Sequence, residues 1–444
     1  MQQAKFLQGS ILKHVITMSV TNAIGISALF MVELVDIYFI SLLDNPALIA
    51  AVGYATAVLF FTTSISIGLV TANSAKVAKA IGQKNHRKAC RYISHITLYA
   101  LCLSTFLALI LWWSAPQLLA LIGAQGRELT EASLYLRIIL PTFPILAIAM
   151  QMGATLRAMG NAKAAMFATL GGGLANAALD PVFIFLMKMD LQGAAVASVI
   201  SRFFILAIGL YFVFFKYKML TFPDFDLFRA DIKKISHVAL PAIFTQIATP
   251  IGNLYVTYEV AKFGTAYIAG WAIIGRLIPV SFAMMFALSG AVGPIIGQNY
   301  GAQQFDRVRK VLNESLKFMT SYTIVIALFL SMTQDIIVNL FHAQNQSAEI
   351  IRIFCQYISV SFLFSGITLI TMTYLNNLGY AKYATFLNVA KMTLGTIPFV
   401  TIGAFYFKAP GILYGQAVGN IIFGIFSLLV TYKIMSNIEK IQIK

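Results

Sequence analysis

The sequence predicts an all-α polytopic membrane protein, with twelve transmembrane helices arranged as two pseudo-symmetric six-helix lobes. Three observations predict it: too little charge for a soluble surface, a regular succession of apolar runs, and short motifs that return at a nearly fixed spacing. The 444 residues are 59% hydrophobic and 11% charged, with a mean hydropathy of +0.81. A soluble chain carries about 25% charged residues. One span needs about 20 apolar residues, so with short loops this length accommodates about twelve.

Apolar runs place the spans near 15–41, 47–73, 92–114, 131–156, 164–187, 191–215, 237–262, 266–295, 314–341, 350–375, 384–406 and 410–434. The net charge of +16 is distributed by topology. Lys76, Lys79, Lys84, Arg87, Lys88 and Arg91 crowd one loop, and Lys216, Lys218, Arg229, Lys233 and Lys234 another, while the intervening loops carry few cations. That alternation is the positive-inside pattern. It predicts a multi-pass protein of the cell (inner or plasma) membrane with both termini cytoplasmic, and it excludes nucleic acid as the reason for the charge. The N-terminus lacks a small-residue cleavage site and is not read as a removable signal. Cys90, Cys102 and Cys355 are too scattered for a disulfide framework or a metal motif.

The most polar interior stretch, "FKYKMLTFPDFDLFRADIKK", lies at the midpoint and predicts a cytoplasmic linker, about 215–236, between an N-lobe (1–222) and a C-lobe (223–444). The two sides resemble each other. "IGQKNHRK" from Ile81 returns as "IGQNYGAQ" from Ile296, "LRAMGNAK" from Leu156 as "LNNLGYAK" from Leu375, and "ALIAAVGY" from Ala47 as "AYIAGWAI" from Ala266. A six-span duplication is the arrangement secondary transporters use for alternating access. Neither a channel nor a membrane enzyme requires it.

A charge at the centre of a span costs roughly 2.5–3.5 kcal/mol, so an unforced one is a functional candidate. Glu33 and Asp36 lie three apart in the first span, and Asn176 and Asp180 four apart in the fifth, so each pair shares a helix face. Ser198 lies mid-depth in the sixth span. Shifted by the repeat, Asp36 falls near Thr257 and Asp180 on "GTIPFVT", which has no acid. A structural need would recur in both halves, so Asp36 and Asp180 read as a coupling site. Glu33 is a candidate cavity residue, with Arg202 or Arg276 as candidate partners, although the span arginines read as snorkelling near span ends. Lys391 lies deeper and is a candidate partner inside the second half. Pro181 removes a backbone donor beside Asp180. Gly171, Gly172 and Gly173 permit either close packing or bending. Met284, Met285 and Met372 are candidate adaptable lining for a substrate cavity.

With these motifs, "LVDIYFI", "GNAK", "NAALDP", "GAAVAS" and the repeated "IGQ", the chain resembles multidrug and toxic compound extrusion (MATE) transporters, most closely the DinF-like branch. The acids that the NorM-like branch carries in spans seven and ten have no clear match. The resemblance implies a secondary antiporter that is not an enzyme and has no cofactor. It would export amphipathic, cationic small molecules in exchange for H+ or Na+, acting as a monomer in the bilayer. It implies that Asp36 and Asp180 are the coupling carboxylates, with Asn176, Ser198 and Tyr135 as their hydrogen-bonding partners. If sodium couples transport, Asp36, Asp180, Asn176 and Ser198 would hold it. Glu33 is an extra acid outside the family pattern, and the first span lacks an interior proline. Two alternatives remain at this level: a lipid-linked oligosaccharide or lipid flippase of the same superfamily, and a membrane-embedded transferase.

Overall fold

The computed structural model describes residues 4–43 and 45–443, all helix, turn or short coil. Ten segments are long and apolar enough to cross a membrane: α1 (Ile11–Ser41), α2 (Ala47–Gly82), α3 (His86–Leu121), α4 (Gly126–Ala158), α5 (Ala162–Leu186), α6 (Asp190–Lys216), α7 (Phe225–Ala261), α9 (Phe305–Leu340), α10 (Asn345–Leu378), and a last segment, Ala381–Lys440. Between α7 and α9, Thr265–Ser281 and Ala283–Gly301 form one span, α8, bent by 43° at Phe282. The bend is held by Tyr322, whose hydroxyl donates to Ser281 O at 2.6 Å, and by Phe282 stacking on Phe362 at 4.6 Å.

The last segment is two spans. Its backbone leaves helical geometry at Lys408, at φ 55° and ψ −143°. Glycines on either side face each other as in an antiparallel hairpin: a Cβ on Gly403 would strike Gly411, one on Gly415 would strike Phe399, and one on Gly419 would strike Gly395. Each pair is centred on Phe407, next to Lys408, so α11 (Ala381–Thr393, continued over 397–407) turns back into α12 (409–443). The total is twelve.

The duplication is written in the backbone. Left-handed residues recur 219 positions apart, at Lys84 and Gln303, Gly123 and His342, Gly126 and Asn345, and Gly160 and Gly379. The 3-10 break inside α4 (Leu140–Thr142) likewise recurs inside α10 (Ser359–Ser361). Positive φ is disfavoured for side-chain-bearing residues, so lysine, glutamine and histidine at these positions mark the fold's demand over local preference. The same offset corrects one sequence match. Helices end at Gly82 and Gly301, so the "IGQ" of Ile296 lies one turn out of register with that of Ile81.

By packing, one compact unit is built on Ile24–Ile243, and the other on Phe6–Ala23 together with the chain from Phe244 onward. Thus the first halves of α1 and α7 are exchanged between the units. Within the second unit, Phe6 is buried, its amide donates to Gln298 Oε1 at 3.0 Å, and its carbonyl accepts from Arg307 Nη2 at 2.8 Å. Within the first, Asp231 of α7 is buried against Arg91 at 2.8 Å and His95 at 3.0 Å. The His95 ring accepts the Asp224 amide at 3.1 Å, which ties down the linker. Large apolar side chains such as Trp113, Phe329 and Met332 stand exposed, as a lipid-facing surface requires.

Candidate functional site

The site lies in the first unit, between the far ends of α1 and α5. Small residues on α5 bring the helices together. A Cβ on Gly172 would overlap Ile205 of α6, and one on Gly173 would lie 3.0 Å from Val32 of α1. Ser201 of α6 donates to Gly172 O at 2.7 Å. The glycine triplet therefore serves close packing. Asp36 is one turn beyond Val32 and Asp180 two turns beyond Gly173, which puts the two acids at similar depth.

Asp180 is fully buried and Asp36 half-buried. Their carboxyl groups are close enough to interact directly. Asn176 Nδ2 donates to Asp180 Oδ1 at 3.2 Å, the i,i+4 contact the spacing predicts. One buried oxygen on each acid, Oδ1 of Asp36 and Oδ2 of Asp180, receives no donor. Such an atom costs roughly 1–3 kcal/mol when left unsatisfied.

Directly after Asp180, Pro181 withholds its backbone donor, and α5 loosens into a π-turn over Val182–Leu186. Gly193 of α6 packs on this bulge, where a Cβ would lie 2.7 Å from the Phe183 backbone. π-turns inside helices cluster at functional sites. Tyr135 is 9% exposed and stands within electrostatic range of Asp36, Asp180, Glu33 and Arg202. Arg202 does not pair with Glu33. Its Nη1 donates to Ile139 O at 2.9 Å and to Thr142 Oγ1 at 2.7 Å, stitching the break in α4.

One family model, MatE, matches the chain over residues 23–182 and again over 241–402. The protein belongs to the MATE family of membrane transporters. The two matched stretches are the two halves of the duplication. Among curated relatives, the FAD transporter of Shewanella oneidensis is 27% identical over 426 residues, covering 94% of each chain. The multidrug export protein MepA of Staphylococcus haemolyticus is 23% identical over 443 residues, covering 98% of this chain and 96% of that one. The Vibrio cholerae MATE transporter VcmN in its bent form superposes with a TM-score of 0.92 at 24% identity, covering 96% and 97% of the two chains. An outward-facing MATE transporter of the MOP superfamily superposes at 0.93 with 22% identity, covering 99% of both. These solved structures establish the fold, and membership of the family makes the chain a transporter rather than an enzyme.

Asp36, Asp180, Asn176 and Tyr135 are brought together. Glu33, on the same face of α1, is exposed and reaches Asp36 only electrostatically. Ser198 is half-buried and makes no hydrogen bond among the described residues; Ser201 makes the bond to α5 instead. Met372 packs in a core cluster with Leu375, Ala384 and Leu387, and Met285 is 3% exposed, so both act here as core; Met284 is half-buried. Arg202, expected near a span end, sits twelve residues into a 27-residue span. Counting from Asp190 locates it mid-membrane, and that count was the available signal. Among the described residues no cluster of three or more His, Cys, Asp or Glu side chains has metal-binding geometry.

Proposed function

We propose that this MATE transporter is a proton-coupled antiporter of the cell membrane that exports amphipathic, aromatic small molecules by alternating access. It would act as a monomer with both termini cytoplasmic. The observation that carries the coupling is the proximity of two carboxyl groups, one buried and one half-buried, each with a buried oxygen that lacks a donor. Two carboxylates in contact repel when both are ionised, and one proton shared between them removes the repulsion and fills both orphan acceptors. Asn176 keeps Asp180 oriented. The Tyr135 hydroxyl stands in electrostatic range of the pair.

Proton binding then changes the charge at the end of α1, whose two halves belong to different compact units. A proton drives the cycle only through unequal affinity for its two states, and the loosened π-turn after Pro181 offers an element that can repack. Sodium fits the geometry less well, because Ser198 makes no hydrogen bond to the acids and Asn176 turns its Nδ2 rather than its oxygen toward Asp180.

The relatives' names span multidrug export and FAD transport. An amphipathic aromatic solute is common to both, and that is the class proposed. The test is ethidium extrusion by cells expressing Asp36→Asn or Asp180→Asn at wild-type levels. Either variant should extrude at a background rate; extrusion at the full rate by both overturns the proposal.

A further inference from the structure

Among the described residues of the second unit, Lys391 is a basic side chain buried at mid-membrane. It lies ten residues into α11, about 15 Å from that helix's first residue at 1.5 Å per residue, or half the hydrocarbon thickness of about 30 Å. The side chain is 7% exposed. Its ammonium carries three N–H donors and meets one acceptor, Ser365 Oγ of α10, at 3.2 Å.

Among the described residues no carboxylate forms an ion pair with it. Glu259 is paired with Lys262, Glu314 with Lys317, Asp335 with Arg352 and Glu439 with Arg309, while Glu349 accepts from Tyr267. The remaining acid, Asp306, opens α9 at its membrane end. The position is not one the fold needs filled by a cation. Its counterpart by the 219-residue offset is Gly172, which serves only to let helices touch. Just beyond Lys391 the helix breaks at 394–396, where Thr396 Oγ1 donates to Lys391 O at 3.0 Å. The lysine therefore sits beside a joint in its own helix.

We propose that Lys391 and Ser365 form a recognition point for an oxyanion, a carboxylate or phosphate carried by the transported solute. An ammonium with two unused donors supplies charge-assisted hydrogen bonds, and Ser365 supplies a hydroxyl that can turn to donate. The two units then divide the work: acids for the coupling ion in the first, a base for the solute's anionic group in the second. This reading rests on the transport role proposed above, but it makes a separate demand, on solute charge.

The experiment is equilibrium binding to the purified, detergent-solubilised protein, followed by quenching of flavin fluorescence. The matched pair is riboflavin and riboflavin 5′-phosphate, the same ring without and with a phosphate. The wild-type protein should bind the phosphate ester at least roughly tenfold more tightly, the equivalent of one such bond. Lys391→Met keeps the apolar stem and removes the charge; it should leave riboflavin affinity unchanged and bring the ratio near one. Lys391→Arg should retain most of the preference. A wild-type protein that does not distinguish the two ligands, or a Lys391→Met variant that still does, overturns the proposal. So does a Lys391→Met variant that keeps the phosphate preference but loses proton-driven ethidium extrusion, since the lysine would then be a second coupling group. None of these results depends on Asp36 or Asp180, whose variants test the coupling reading separately.

Discussion

In the first unit, Asp36 and Asp180 meet near the far ends of α1 and α5. At the counterpart positions, 219 residues on, the second unit holds Tyr255 and Phe399. The contrast extends inward. Asn73 of α2 donates to Gln151 Oε1 at 3.1 Å and Thr155 Oγ1 at 3.2 Å, where the second unit has Val292, Ile370 and Tyr374. Arg202 stitches the break in α4; its counterpart beside the break in α10 is Ile421. Yet Thr142 Oγ1 donates to Ile139 O at 2.7 Å just as Ser361 Oγ donates to Ile358 O at 2.7 Å. Backbone turns and the local bonds that make them have been retained since duplication. Buried charge and polar stitching have diverged, and this marks them as features of a task rather than of the fold.

Variants at the acids should break that asymmetry most sharply. Asp36→Asn and Asp180→Asn each remove one partner of the shared proton and should lower proton-driven transport at least about tenfold, the loss of roughly 1.4 kcal/mol of coupling. Tyr255→Phe, at the counterpart of Asp36, deletes only a hydroxyl bonded to Thr401 at 2.6 Å and should transport normally. Next in size is Arg202→Met, which removes both guanidinium bonds and leaves Ile139 O and Thr142 Oγ1 with only the bond between them. It should cost ~1–3 kcal/mol and lower the thermal midpoint in detergent, whereas Ile421→Val should cost about 0.5–1.5 kcal/mol. Gly172→Val forces a side chain into Ile205 and should destabilise by ~1–3 kcal/mol, read in the same melting assay. Smallest is Ser198→Ala. With no hydrogen bond to lose, it should change stability by less than about 0.5 kcal/mol and leave transport intact, whereas Asn176→Ala, which frees Asp180 Oδ1, should reduce transport.

Much of this was legible in the sequence. Apolar runs located all twelve spans because lipid forces each segment to satisfy its own backbone, and the i,i+4 spacing of Asn176 and Asp180 specified their contact. The repeat motifs gave the duplication, but "IGQ" misled by one turn, since similar letters can end a helix at different registers. Which donors would reach Asp36 was not legible. Ser198 makes no hydrogen bond to α5, and Ser201, three residues on, bonds Gly172 O rather than either acid. The burial of Arg202 was missed for a related reason: its partners are backbone groups freed at a helix break, which side-chain patterns do not announce. Met285 and Met372 were read as adaptable lining because composition cannot distinguish a cavity wall from a core.

The central claim, that the acid pair of the first unit carries the coupling proton, is tested most directly in proteoliposomes containing the purified protein and a fluorescent amphipathic dye. An imposed proton gradient should drive dye accumulation, and a sodium gradient alone should not. Asp36→Asn and Asp180→Asn should abolish the response while Tyr255→Phe preserves it. Accumulation driven by sodium alone, or a full proton-driven response from both asparagine variants, would contradict the account.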